Sequence, residues 1–150
     1  MAPVVLGIDP GVTGGLAWVY ARGQIDAKDI PTAGGEVDVD TIVGMLKEQR
    51  PTVTFIERVH SMPKQGVASS FKFGMAYGAL WAVVVASGIP LHRVSPTVWK
   101  KHFHLSADKE QARALAIQYW PGTGLFARKK DHGRAEAALI ARYGLEVSLK

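Results

Sequence analysis

The residues of this chain best placed to do chemistry are carboxylates at the ends of apolar runs. Asp9 closes the run Val4-Val5-Leu6-Gly7-Ile8 and opens a turn, Pro10-Gly11-Val12-Thr13-Gly14-Gly15. Glu57 closes a second run, Thr52-Val53-Thr54-Phe55-Ile56. Glu136 lies in an alanine-rich stretch, Gly133 to Ala141, that reads as a helix just behind Asp131 and His132. A carboxylate at the end of a buried strand is costly unless something compensates its charge. Several of them from distant segments, in a chain with a formal net charge of +5, point to a divalent metal site. His132 and Glu136 are four residues apart and would share a helix face, whereas Asp131 would sit at the N-cap and reach back. A metal favours the carboxylate and a histidine would position water or move a proton, so the pattern leaves Asp131 and His132 both open.

The cationic excess has its own distribution. Lys64, Lys72, Lys100, Lys101, Arg128, Lys129 and Lys130, with His102 and His104, fall in loops or at helix ends flanking the acidic positions. Basic surroundings that hold phosphates and carboxylates that hold a metal are together what a metal nuclease needs. His60, Met62 and Phe71 follow Glu57 and are candidates to wedge between bases, while Trp99 and Phe103 are read as core.

Other chemistries are excluded or poorly supported. There is no cysteine, which removes disulfides, thiolate metal sites and cysteine nucleophiles. The first turn is not a Walker loop, because no Gly-Lys-Ser/Thr follows it. No Ser/His/Asp triad is supported, and the five histidines lack zinc spacing. Asp-x-Gly-x-Thr-Gly at Asp9 also resembles the phosphate loop of actin-like sugar kinases, but 150 residues scarcely hold the second lobe they require. A DNA-binding module without catalysis is disfavoured by the acidic set, since carboxylates repel phosphate unless metal is present.

These side chains need elements to position them. With 150 residues, 47% of them apolar, the chain is expected to form one domain, 1–150, around a full core. Strands are expected over Val4–Asp9, Gly15–Tyr20, Gln24–Ile30, Thr52–Glu57 and Leu91–Val94. Pro31 to Glu36 reads as a loop. Helices are expected from Asp38 or Asp40 to Gln49, Val67 to Ser87, Thr97 to His102 behind a Ser95 cap, and Ser106 or Asp108 to Pro121. A basic loop, Gly122–Lys130, then precedes the Glu136 helix. The pattern predicts an α/β fold, a five-stranded mixed sheet flanked by helices. Met1-Ala2-Pro3 lacks the charged region of a signal peptide, and Met75–Ile89 is interrupted and too short to span a bilayer. A cytoplasmic setting without membrane contact is expected.

Several blocks in the right order resemble a known family. Gly7-Ile8-Asp9-Pro10-Gly11, Ile56-Glu57 and Ala135-Glu136-Ala137 are similar to RuvC-type Holliday junction resolvases of the RNase H-like superfamily. Met62 to Gly74, Val94 to Lys101 and Asp131 to Ala141 resemble the phage and prophage branch. The resemblance runs from Val4 to about Tyr143. It implies an RNase H-like fold, a homodimer, a bacterial or phage source, and Mg²⁺- or Mn²⁺-dependent paired nicking of four-way DNA junctions. A less selective branched-DNA endonuclease is the alternative. By the resemblance, Asp9, Glu57 and Glu136 are metal ligands around two ions about 4 Å apart. The remaining ligand usually stands three residues before the last carboxylate. That position is Gly133 here, so Asp131 or His132 must serve. The aromatic wedge of the bacterial enzymes is replaced by His60.

Overall fold

Alternation along the first strand decides what each face of the sheet carries. The computed structural model describes residues 2–59 and 64–148. Strands β1 (Val4–Asp9), β2 (Gly15–Tyr20) and β3 (Ile25–Asp29) form an antiparallel meander. After a two-stranded ribbon, β4 (Thr32–Ala33) and β5 (Glu36–Val37), comes helix α1 (Val39–Glu48). Strand β6 (Val53–Glu57) is followed by α2 (Val67–Ala86) and β7 (Leu91–Val94). Three helices complete the chain: α3 (Pro96–His102), α4 (Lys109–Tyr119) and α5 (His132–Ser148). The main sheet has the order β3-β2-β1-β6-β7, with β1, β6 and β7 parallel. This is the expected five-stranded mixed sheet.

Successive residues of a strand point to opposite faces. Val5 joins the core cluster beneath α5, whereas Leu6 and Ile8 join the other cluster, against α1 and α2. By the same alternation Gly7 and Asp9 face α5. On β6, Phe55 packs with the α5 cluster and Ile56 with the opposite one, so Glu57 also faces α5. The α5 side is filled by Ala135, Ala137, Ala138, Leu139, Ile140 and Ala141, all fully buried.

The approach of α5 to the sheet is close enough to forbid side chains at three points. A Cβ on Gly7 would collide with the Ala137 carbonyl and, at 2.6 Å, with the Ala141 backbone nitrogen. Gly15 and Gly133 meet across the same contact: a Cβ on Gly15 would stand 2.6 Å from the Gly133 carbonyl oxygen, and one on Gly133 2.8 Å from that of Thr13.

Local chemistry accounts for most boundaries. Asp38 caps α1 by accepting from the Thr41 amide, Ser95 caps α3 ahead of Pro96, and Asp108 caps α4. Two expectations change. The loop Pro31–Glu36 contains the β4–β5 ribbon, turning at Gly34 and Gly35 with φ of +60° and +80°. Helix α2 runs unbroken through Tyr77 and Gly78, so the apolar segment is longer than its interruptions implied. At 20 residues it is long and apolar enough to cross a membrane by length and composition, though it lays Ala76, Leu80, Val83 and Val84 against the sheet.

Because the Gly7 contact is backbone against backbone, Gly7→Ala has no flexible neighbour to displace. It is expected to destabilise the protein by at least about 1–3 kcal/mol, read from a urea melt. A wild-type midpoint would show that α5 can move away from β1.

Candidate metal centre

Pairing of β1 with β6 sets Ile8 opposite Ile56, which brings the ends of the two strands, Asp9 and Glu57, together at one edge of the sheet. Helix α5 supplies Glu136 and His132 from above. These four line one cavity of about 270 Å³ with Pro10, Thr13, Gly14, Phe73, Lys100 and Lys109. The cavity therefore gathers residues from two strand ends, from four helices and from the glycine turn after β1.

Burial and crowding perturb every acid in it. Burial pushes the Asp9 carboxyl well above the usual range, and the charges of Glu136 and Glu57 push it further. The contact between Asp9 and Glu136 itself raises the Asp9 carboxyl and lowers that of Glu136. Part of Asp9 stays accessible through the cavity mouth, but its carboxyl is surrounded by enough protein to feel the full desolvation. Glu57 is raised by burial, partly opposed by the hydrogen bond it accepts at Oε2 from the Trp99 indole at 2.8 Å. Glu136 is raised by burial and eased by Lys100 and Lys109. The Lys100 ammonium is 4.0 Å from Glu136 Oε1. His132 is pushed down by burial and by the charge of Lys109, which favours neutral imidazole. Its Nδ1 lies 4.0 Å from Glu136 Oε2 and has no hydrogen-bond partner among the described residues.

Three carboxylates and an imidazole converging on one cavity fit a hard divalent cation by donor type. Among the described residues no three such groups stand already arranged as a metal cage.

Asp131 is not in this cavity, which corrects its expected role as a ligand. It sits in a single turn of 3₁₀ helix, Lys129–Asp131, almost without exposed surface beneath the half-exposed Arg128. Its oxygens accept from the Arg128 amide at 2.8 Å and from the Arg128 guanidinium at 2.8 Å, and Arg134 lies 3.8 Å away. Burial works to raise its pKa, but the Arg128 hydrogen bonds and the two arginine charges outweigh that and lower it. Of the two open candidates, His132 is the one that reaches the site.

The expected DNA contacts divide similarly. Lys100 lines the cavity and also an adjoining hollow with Lys101 and His104. Lys72 lines a groove that shares Pro10, Thr13 and Phe73 with the cavity. Lys64, Lys129 and Lys130 are exposed. Arg128 has its guanidinium engaged by Asp131. His60 lies outside the described residues. Lys109, Thr13 and Phe73 were not expected at the site. Lys109 did carry a signal: a lysine in the first turn of a helix opposes the macrodipole, which invites a reason for its presence.

The raised carboxyls make a stability prediction. An acid whose folded pKa exceeds its unfolded value holds more protons when folded, so its contribution falls as pH rises from about 4 through the folded value. Asp131, shifted the other way, acts only below that window. In chelator, these carboxyls are expected to make wild-type stability decline as pH rises above about 4, and Asp9→Asn to flatten that decline. His132, lowered from 6.5, contributes in the opposite sense up to that pH in both proteins. Parallel profiles for the two proteins would contradict the assignment of Asp9.

No protein-family model matches the chain. Two curated relatives do: the crossover junction endodeoxyribonucleases RuvC of Nitratidesulfovibrio vulgaris strains DP4 and Hildenborough. Each is 32% identical over 152 residues, spanning 91% of this chain and 87% of the relative. Among solved structures, RuvC of T. thermophilus in complex with Holliday junction substrate superposes with a TM-score of 0.70 at 18% identity, covering 97% of this chain and 96% of that one. A fowlpox virus resolvase, solved with substrate Holliday junction DNA, gives 0.58 at 13% identity, covering 98% and 99%. The structural likenesses establish the RNase H-like fold. With the identity to the curated relatives, they establish that this chain belongs to the RuvC family of crossover junction endodeoxyribonucleases.

Proposed function

We propose that the protein resolves Holliday junctions, making paired, symmetric, metal-dependent nicks in four-way DNA in the cytoplasm of a bacterial cell. The observation that carries this reading is the meeting of Asp9, Glu57, Glu136 and His132 in one cavity rimmed by Lys100 and Lys109. Anionic walls inside a cationic rim suit a phosphodiester only when cations neutralise the walls.

Asp9, Glu57 and Glu136 would hold Mg²⁺ or Mn²⁺, two ions per site, with His132 completing the set. A bound divalent cation supplies Lewis-acid activation of water and neutralises charge on the phosphate. Lys100 and Lys109 hold the scissile phosphate against the cavity. The unpartnered Nδ1 of His132, 4.0 Å from Glu136 Oε2, is the ring nitrogen that would offer its lone pair to an ion shared with Glu136. Lys101 and Lys72, in the hollows on either side, track the backbone beyond the cut.

Two opposed nicks call for a two-fold dimer. Helix α2 supports one. Its outer face carries Gly74, Gly78 and Ala82 at four-residue spacing, beside Phe71, Trp81 and Val85, which are 70%, 38% and 48% exposed. Small residues between exposed apolar ones allow a second copy of the helix to approach closely.

Asp9→Asn is expected to reduce nicking of a mobile four-way junction about a hundredfold or more while leaving junction binding intact in a gel-shift assay. Wild-type cleavage by this variant would remove Asp9 from the chemistry. Comparable wild-type rates on three-way and flap substrates would favour the less selective nuclease. Wild type is expected to elute at twice the 16.2 kDa subunit mass. Gly78→Leu, whose added Cβ meets nothing within 4 Å inside the subunit, is expected to elute as a monomer. A dimeric Gly78→Leu protein would move the interface elsewhere.

A further inference from the structure

Trp99 has a side chain with one polar atom and no exposed surface. A buried indole needs a partner for its N–H, and many arrangements within a core would provide a backbone carbonyl. Trp18 does so, donating to the Gln49 carbonyl at 2.8 Å. Trp99 instead donates to Glu57 Oε2 at 2.8 Å, across 42 residues of sequence.

The fold makes this contact specific. Glu57 pairs with Val94 at the end of β7, and Ser95 caps α3 directly after it. One turn into α3, Trp99 is carried back under the end of β6. The Lys100 ammonium lies over its ring, 5.5 Å from the centroid, and is itself 4.0 Å from Glu136. A glutamate at a strand end has three side-chain torsions and no intrinsic reason to hold one orientation. A rigid, fully packed donor removes that freedom at one oxygen of a residue that lines the cavity.

We propose that Trp99 is a positioning residue for the metal centre: its indole N–H fixes the Glu57 carboxylate so that the remaining oxygen is presented to a divalent cation. This rests on the proposed metal-dependent nuclease. A phenylalanine would fill the same core without the donor, so the hydrogen bond rather than the packing is the functional element. Groups that orient a ligand in this way typically change metal affinity about 10- to 100-fold when removed.

The test reads the indole directly. The protein has four tryptophans, and ¹⁵N labelling gives one indole N–H signal for each. In metal-free protein without DNA, Glu57→Ala is expected to shift the Trp99 signal and leave that of Trp18 in place. Titrating Mg²⁺ into wild type is expected to shift the same Trp99 signal. Trp99→Phe is expected to need about tenfold more Mg²⁺ for half-maximal nicking, with junction binding in chelator unchanged. A purely structural role would lower the melting temperature without moving the Mg²⁺ requirement, and that result would overturn the inference. A Trp99 signal indifferent to Glu57→Ala would also overturn it, and this reading stands even if Trp99→Phe does not fold. An inactive wild type would sink the nuclease reading instead, since the indole spectrum involves neither DNA nor cleavage.

Discussion

The site depends on a single steric constraint, the seating of α5 on β1 with no side chain between them. Gly7, Gly15 and Gly133 let the backbones of strand, turn and helix touch. That contact lowers Glu136 and His132 onto the strand ends where Asp9 and Glu57 already lie side by side. With ordinary side chains at those glycines the helix would ride higher, and Glu136 and His132 would stand apart from the Asp9–Glu57 pair.

Drawing them together works against stability. Desolvation raises all three carboxyls, and repulsion from neighbouring carboxylates raises Asp9 and Glu57 further. Lys100 and Lys109, at the rim, ease Glu136. The remainder of the fold is correspondingly conventional: two apolar clusters, capped helices and a paired sheet. Unfavourable electrostatics concentrated in one cavity, with local rules obeyed elsewhere, is what a functional site imposes on a stable domain.

Much of this was legible in the residues, and where it was not, the reason is physical. β-Branched and apolar runs ending in Asp9 and Glu57 specify strands locally, so their limits were readable. Ser95-Pro96 announces α3 because capping is a matter of neighbouring residues. The β4–β5 ribbon was missed because two-residue strands carry no period. Helix α2 was read correctly in extent, yet its apolar length was underrated because Gly78 and Tyr77 look like interruptions and break nothing once the helix packs on the sheet. Asp131 misled because a carboxylate is the better ligand by type. Its orientation depends on Arg128 and on a 3₁₀ turn that no spacing rule reveals. Lys109 and the Trp99–Glu57 bond are long-range facts, set by how α3 and α4 dock.

The identity of residue 133 ties these strands of argument together. In the pattern this chain resembles, an acid or a histidine stands one turn before the final carboxylate, three residues before it in the bacterial enzymes, and this chain has Gly133 there. The structure gives the reason: a Cβ at 133 would press into the backbone of Thr13 and Gly14, in the turn that follows Asp9. Either the turn keeps its close fit or position 133 carries a ligand, but not both. This chain keeps the fit, and the imidazole that reaches the cavity stands one residue earlier, at His132, four residues from Glu136 and on the same helical face. Imidazole at this point adds no negative charge beside Asp9, and burial and the Lys109 charge favour its neutral form. Close packing at position 133 thus excludes a side chain there and leaves His132 as the group that faces Glu136.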